Sequence, residues 1–319
     1  MMKLIIQIPC YNEEKTLPDV FRDLPSAIEG VDVIETLVIN DGSTDRTVEV
    51  ATALGATHIL SIYPNRGLAR TFRSGLDEAL RLGADIVVNT DGDNQYAGAD
   101  IAALIRPILD RQAHFVVGVR DITRISHFSA RKKFLQRFGS WVVRKLSATR
   151  ISDVTSGFRA FSREAAMNLD LVTDYTHTIE TIIALGKDGE SIAEVPVRTN
   201  GQLRESRLFG SIPDYIKRCV ADMLRIYIRY EALKTFASLG AATLLLAVAN
   251  GGYYLYTRLM HAGRSNVALS LFVLFVIAGL LFILLGFLGD SIACNRRMLS
   301  RISRRQREIL ARLDKSPAS

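Results

Sequence analysis

The sequence predicts an α/β domain built on a mostly parallel sheet, followed by an amphipathic helix at a membrane surface and a two-helix transmembrane hairpin. Three observations predict it. Short β-branched runs alternate with helical patterns through the first 200 residues. Residues 235–257 and 267–289 carry no charged side chain. Just before them, apolar residues recur at helical spacing among basic ones.

The strand candidates are Leu4–Ile8, Val33–Ile39, His58–Ile62, Ile86–Asn89, Phe115–Val119 and Ile192–Val197. Stretches such as Arg66–Leu82, which read as helices, separate the first four. Strands joined by helices make a parallel sheet covered on both faces. An apolar content of 48% beside 23% charged residues supplies a packed core and argues against disorder.

The two uncharged stretches span roughly 23 residues each, which at about 1.5 Å per residue is enough to cross a hydrocarbon core. A short connector, Arg258 to Asn266, makes them an antiparallel hairpin. Arg296, Arg297, Arg301, Arg304, Arg305, Arg307, Arg312 and Lys315 follow it, against Arg258 and Arg264 in the connector, so both termini are expected inside. The net charge of +7 and pI near 9.4 therefore point to a membrane surface, and nucleic acid is not an expected partner. Ile212, Tyr215, Ile216, Cys219, Val220, Met223, Tyr227 and Ile228 form the juxtamembrane stripe, and residues 127–147 hold a second amphipathic stretch. The expected layout is a catalytic domain over 1–209, a juxtamembrane helix over 210–234, spans at 235–257 and 267–289, and a basic tail over 290–319.

Cys10, Cys219 and Cys294 are scattered singletons without a CxxC pair, which suggests neither a disulfide framework nor a zinc knuckle and fits a reducing compartment. The opening MMKLIIQIPC has only a short apolar run and no small-residue cleavage site, so the first domain is expected to stay in the cytosol.

In an open α/β sheet ligands bind beyond the carboxyl ends of the strands, and the residues there are polar. Pro9-Cys10-Tyr11-Asn12-Glu13-Glu14 follows the first strand, Asn40-Asp41-Gly42-Ser43-Thr44-Asp45 the second, and Thr90-Asp91-Gly92-Asp93-Asn94-Gln95-Tyr96 the fourth. Each loop alone fits a helix start or an ordinary turn. Three acidic loops on one rim point to a ligand. Two carboxylates one residue apart, Asp91 and Asp93, suit a hard cation such as Mg²⁺ or Mn²⁺ shared with substrate phosphates. The histidines show no paired spacing with Cys or Glu, and neither GxGxxG after the first strand nor GxxxxGK[ST] is present, which disfavours soft-metal, nicotinamide and P-loop chemistry.

Residues 3–207 resemble the family 2 glycosyltransferases of the Rossmann-like GT-A fold, most strongly the polyprenyl-phosphate branch that includes dolichol-phosphate mannose synthases. Ile8–Glu14, Asn40–Thr47, Asn65-Arg66-Gly67, Asp91–Tyr96 and Thr155-Ser156-Gly157-Phe158-Arg159 carry the resemblance. It implies that Pro9, Tyr11, Asn12, Glu13 and Asp41 line the nucleoside pocket, that Asp91 and Asp93 place the metal and diphosphate, and that Gln95 lies near the sugar. The family usually has two acids where this chain has Asn40-Asp41, and the base contact stays on Asp41. The acceptor phosphate is read from basic residues, Arg120 after the fifth strand and Arg131 in the second amphipathic stretch, and the resemblance places the Arg204-Glu205-Ser206-Arg207 segment over the donor diphosphate and the acceptor phosphate, with Arg204 in a catalytic role and Ser206 and Arg207 on the acceptor. Arginine suits this because its planar fork binds phosphate bidentately, and solvated arginines beside an anionic membrane are the alternative.

The implied activity is transfer of a sugar from a nucleotide-diphosphate sugar to a polyprenyl phosphate, undecaprenyl or dolichyl, at the cytosolic membrane face. One displacement inverts the anomeric centre. Were a base used, Asp91, Asp93 and Glu180 are the acids to test, with a surface or capping role the alternative for Glu180. A processive polysaccharide synthase, a non-catalytic nucleotide-sugar adaptor and a small channel are the rival readings. Trp141 lies in no QxxRW segment, and the spans hold no ionisable residue to mark an ion path. Self-association as a homo-oligomer is left open.

Overall fold

The computed structural model describes residues 1–120, 149, 151–169, 171, 177–200, 212–260 and 266–313. Seven strands form one sheet: β1 (Lys3–Cys10), β2 (Val33–Asp41), β3 (His58–Ile62), β4 (Ile86–Asn89), β5 (Phe115–Arg120), β6 (Arg159–Ser162) and β7 (Ile192–Val197), in the order β3-β2-β1-β4-β6-β5-β7. β1 lies in the interior of the sheet, parallel to both β2 and β4. Its Leu4, Ile5, Ile6 and Ile8 are fully buried, as expected for a strand covered on both faces. Helix α3 (Leu68–Arg81) turns Ala69, Phe72, Leu76, Ala79 and Leu80 to the core, while α1 (Leu17–Asp23), α2 (Thr47–Ala53) and α4 (Ile101–Leu109) complete the parallel half.

The six strands expected from the alternation are present. β6 was not expected, and it runs antiparallel to both β4 and β5. Because of that direction its first residue, Arg159, pairs with Asn89, the last residue of β4. The turn before β6 therefore arrives at the same sheet edge as the loops after β1, β2 and β4. Helices α5 (Arg163–Asn168) and α6 (His177–Lys187) follow.

The chain divides into two compact units, and the second runs from Val220 to Ile302. The helices that form it are long. α7 (Ile212–Met260) is interrupted at Glu231 (φ −131°, ψ 35°), close to the boundary expected between the juxtamembrane helix and the first span. α8 (Asn266–Leu313) continues helically through most of the segment read as a tail. Glu231–Met260 and Val267–Asn295, with mean hydropathy 1.7 and 3.1, are long and apolar enough to cross a membrane. Only 17% and 11% of their most apolar windows is buried, the opposite of a soluble core helix, which suits membrane association.

Within this unit the helices pack through small residues. A Cβ on Gly240 would meet Ile283 and the Gly279 carbonyl, one on Gly279 would meet Leu244, and one on Gly289 would meet Ala232. Close backbone approach through glycine and alanine is how helices associate where no hydrophobic driving force separates them from lipid.

Candidate active site

The rim loops of β1 and β2 are tied to each other. Asn12 adopts a left-handed conformation (φ 55°), tolerable for asparagine. Its backbone N–H donates to Ser43 Oγ (2.9 Å), and its Oδ1 accepts from the Thr44 N–H (2.7 Å). The Glu13 N–H donates to Thr47 Oγ1 (2.8 Å), the Glu14 N–H to Asp45 Oδ2 (3.2 Å), and the Arg46 N–H to Glu14 Oε2 (3.1 Å). Both loops are thereby held before any ligand arrives.

Two of the acids expected in the nucleoside pocket point inward. Asp41 is 4% exposed, and its two oxygens accept from the Arg66 and Gly67 N–H groups, both at 2.8 Å. It fixes the Asn65-Arg66-Gly67 turn at the start of α3. Glu13 is buried, with Oε2 2.7 Å from Thr16 Oγ1, which also lies 2.8 Å from the Gly92 carbonyl. Glu13 thus braces the loop after β4. Tyr11, 42% exposed, stands open on the rim.

In the β4 loop Asp91, Asp93 and Gln95 are all partly exposed. Asp93 Oδ1 accepts from the Gln95 N–H (3.2 Å), and Asn94 takes the left-handed conformation (φ 55°) that closes this Asx turn. Gly92 passes so close to β1 that a Cβ would lie 3.1 Å from Cys10 Sγ and 3.2 Å from the Pro9 carbonyl. Burial pushes the Cys10 thiol up, and the charges of Glu13, Asp45 and Asp91 push it further. The thiol is inert, and the carboxylates of Glu13, Asp45 and Asp91 around it gather negative charge at this edge, which suits a cation. Among the described residues no group of three or more His, Cys, Asp or Glu is arranged to hold a metal. Two neighbouring carboxylates in a partly open loop fit a Mg²⁺ or Mn²⁺ that takes its remaining oxygens from phosphates and water.

The turn before β6 completes the edge. Gly157 lies against Asp91, and its N–H donates to the Tyr96 hydroxyl (2.9 Å). Tyr96 is stacked on Phe158 (centroids 5.1 Å apart) with the Arg120 guanidinium 5.8 Å above its ring. The fully buried Arg159 donates to the carbonyls of Val154, Ser156 and Thr178, and burial lowers its guanidinium to about 10, so it remains a cation at neutral pH.

Two of the expected site residues turn into the fold. Arg120 was read as an acceptor-phosphate contact, but its Nε and Nη2 bind the buried Asp153 carboxylate (2.7 and 3.1 Å), and Nη2 also meets Thr155 Oγ1 (2.9 Å). Its fork is occupied by the turn that carries Gly157. Glu180 has no surface role: it is fully buried in the first turn of α6, two residues after the Thr178 carbonyl that Arg159 holds. Arg131, Arg204, Ser206 and Arg207, and the 127–147 stretch, lie outside the described residues.

Sequence reading missed the support beneath the rim. Gln7 and Asn89 are fully buried, and Gln7 Nε2 donates to Asn89 Oδ1 (2.9 Å), whose Nδ2 donates to the Gly157 carbonyl (2.8 Å). The signal was available: a polar residue inside an apolar central strand requires a buried partner.

The family model for glycosyl transferase family 2 matches residues 5–170, just over half of the chain. A UDP-N-acetylglucosamine–dolichyl-phosphate N-acetylglucosaminyltransferase of Methanococcus voltae is 30% identical over 213 residues, 60% of this chain and 83% of that protein. A polyprenol monophosphomannose synthase of Mycolicibacterium smegmatis is 28% identical over 221 residues, covering 66% of this chain and 82% of that protein. Among solved structures, glucosyl-3-phosphoglycerate synthase of Mycobacterium tuberculosis superposes with a TM-score of 0.55 at 20% identity, over 72% of this chain and 80% of that one. Complexes of that synthase contain Mn²⁺ or Mg²⁺ with UDP. A mostly parallel sheet with one inserted antiparallel strand, an acidic rim at its carboxyl edge and this family match together make the chain a member of glycosyl transferase family 2, and a glycosyltransferase.

Proposed function

We propose that the protein transfers one sugar from a nucleotide-diphosphate sugar to a polyprenyl phosphate at the cytosolic face of a membrane. The observation that carries this reading is the Asp91-Gly92-Asp93 turn, braced by Thr16 and Gly157 at the carboxyl edge of the sheet. The names of the relatives support the lipid phosphate as acceptor, and the two apolar helices support a membrane-bound enzyme.

Asp91 and Asp93 would hold a Mg²⁺ or Mn²⁺, which when bound supplies neutralisation of the departing diphosphate. Tyr11, Asn12 and Pro9 border the nucleoside, with Glu13 and Asp41 holding the walls, and Gln95 borders the sugar. Arg131, Arg204, Ser206 and Arg207 meet the phosphates. The acceptor phosphate oxygen attacks the anomeric carbon, the bond to the nucleoside diphosphate breaks, and that group leaves with the electron pair, inverting the centre. A phosphate monoester, with a second pKa of about 6, is mostly ionised at neutral pH, so the step needs no strong base. Alignment and charge stabilisation then carry catalysis. The basic residues flanking the second span support both termini inside.

The test is incubation of the purified full chain with polyprenyl phosphate, Mn²⁺ or Mg²⁺ and a panel of UDP-, GDP- and dTDP-sugars. One donor is expected to give a lipid-linked monosaccharide, and Asp93→Asn to abolish it. No lipid product from any donor with folded protein, or normal turnover in Asp93→Asn, overturns the reading.

A further inference from the structure

We propose that Gly157 is a positioning residue for Asp91: its bare Cα is the wall on which the carboxylate rests, and buried side chains hold that wall still. A Cβ built on Gly157 would lie 2.9 Å from Asp91 Oδ2 and 3.0 Å from Oδ1, closer than a carbon and a carboxylate oxygen settle. Nothing in the backbone there demands glycine, since its φ is not in the left-handed region. The requirement comes from the carboxylate.

The turn cannot retreat to make room. The Gly157 N–H is bound by Tyr96 Oη and its carbonyl by Asn89 Nδ2, which Gln7 holds in turn. On either side, Arg159 holds the Val154 and Ser156 carbonyls, and the Phe158 N–H donates to Ser156 Oγ (3.3 Å). Arg120 and Asp153 hold Thr155. With the peptide fixed by residues from β1, β4, β5 and β6, an alanine at 157 moves the Asp91 carboxylate instead. The main chain stays where it is.

This rests on the reading of Asp91 as the carboxylate that meets the metal and diphosphate. Outer contacts that orient a metal ligand typically change metal affinity by about 10–100-fold when lost. In the full-length enzyme at saturating donor and acceptor, Gly157→Ala is expected to raise the half-saturating Mn²⁺ concentration about tenfold or more. The KM for polyprenyl phosphate and the thermal midpoint are expected to stay near wild type. Tyr96→Phe, which removes the acceptor for the Gly157 N–H without changing shape, is expected to move the metal dependence in the same direction by less, and carries the test should Gly157→Ala misfold.

An unchanged half-saturating Mn²⁺ concentration in Gly157→Ala, when Asp91→Asn has lost metal-dependent turnover, overturns the proposal and leaves the function standing. So does a fall in kcat with unaltered metal dependence, the signature of a purely structural role. Wild-type turnover that survives EDTA instead overturns the metal reading of Asp91 itself.

Discussion

Replacing Asp153 by asparagine preserves the shape of the side chain and removes the carboxylate bound to the Arg120 guanidinium, leaving a cation that is 8% exposed beside a neutral amide. Breaking a buried pair from one side costs about 3–5 kcal/mol, because the remaining charge stays desolvated. Thr155 Oγ1 still accepts from Arg120 Nη2, which places the expected loss near the lower end, about 3 kcal/mol. For a unit of this size, about 2–4 °C per kcal/mol converts that to a fall of roughly 6–12 °C in the catalytic unit's melting midpoint, read by circular dichroism of the detergent-solubilised chain. The sign with pH follows. Burial alone would raise the Asp153 carboxyl, but the Arg120 guanidinium and the Thr155 hydroxyl outweigh it and hold it below the ordinary carboxylate value. Its stabilisation is therefore complete above the unfolded pKa of about 3.9 and disappears as pH falls through the lower folded value, so wild type and variant converge only in strong acid. A shift under about 2 °C at pH 7 would refute the pairing. Were Arg120 reserved for an incoming phosphate, Arg120→Met would raise the acceptor KM at unchanged stability.

His177 is buried, stacked on Phe72 (4.3 Å) with Nε2 lacking a hydrogen-bond partner among the described residues, and burial with the nearby Arg159 charge lowers it to about 3. The unfolded chain takes up that proton near pH 6.5 and the folded one does not, so stability drops by about 1.4 kcal/mol per pH unit as pH falls below 6.5. His177→Phe is expected to flatten the acid limb of the melting curve against pH between 7 and 5; parallel limbs would rule this out. In the hairpin, a Cβ on Gly286 lies 3.3 Å from Phe236 Cβ, close to the separation of about 3.5–4.5 Å that a disulfide bridges. Phe236→Cys with Gly286→Cys is expected to crosslink within one chain when membranes are oxidised, and failure to do so would contradict the packed hairpin.

The parallel strands and their polar rim loops were legible because each follows from a local pattern, a buried β-branched run and then a turn. β6 was not. Its four residues have no useful period and begin with an arginine, whose charge is tolerated at full burial because three carbonyls surround it, those of Val154 and Ser156 in the preceding turn and that of Thr178 in α6. The search for ligand residues after each strand also looked the wrong way here, since an antiparallel strand offers the rim the residues that precede it. Asp41 and Arg120 were recognised as rim residues, but which way each side chain turns depends on partners tens of positions away, Arg66 and Gly67 for the first and Asp153 for the second. Residue type and spacing carry no record of those pairings.

The stitching of the β1 loop to the β2 loop has a consequence for engineering. Asn12 and Glu14 reach across to Ser43, Thr44, Asp45 and Arg46, and Glu13 reaches Thr47, so the two segments behave as a single inherited block. Grafting only one of them from a relative with a different donor strands several of these groups without partners. Exchange of donor preference is to be sought by moving residues 9–16 and 40–47 together.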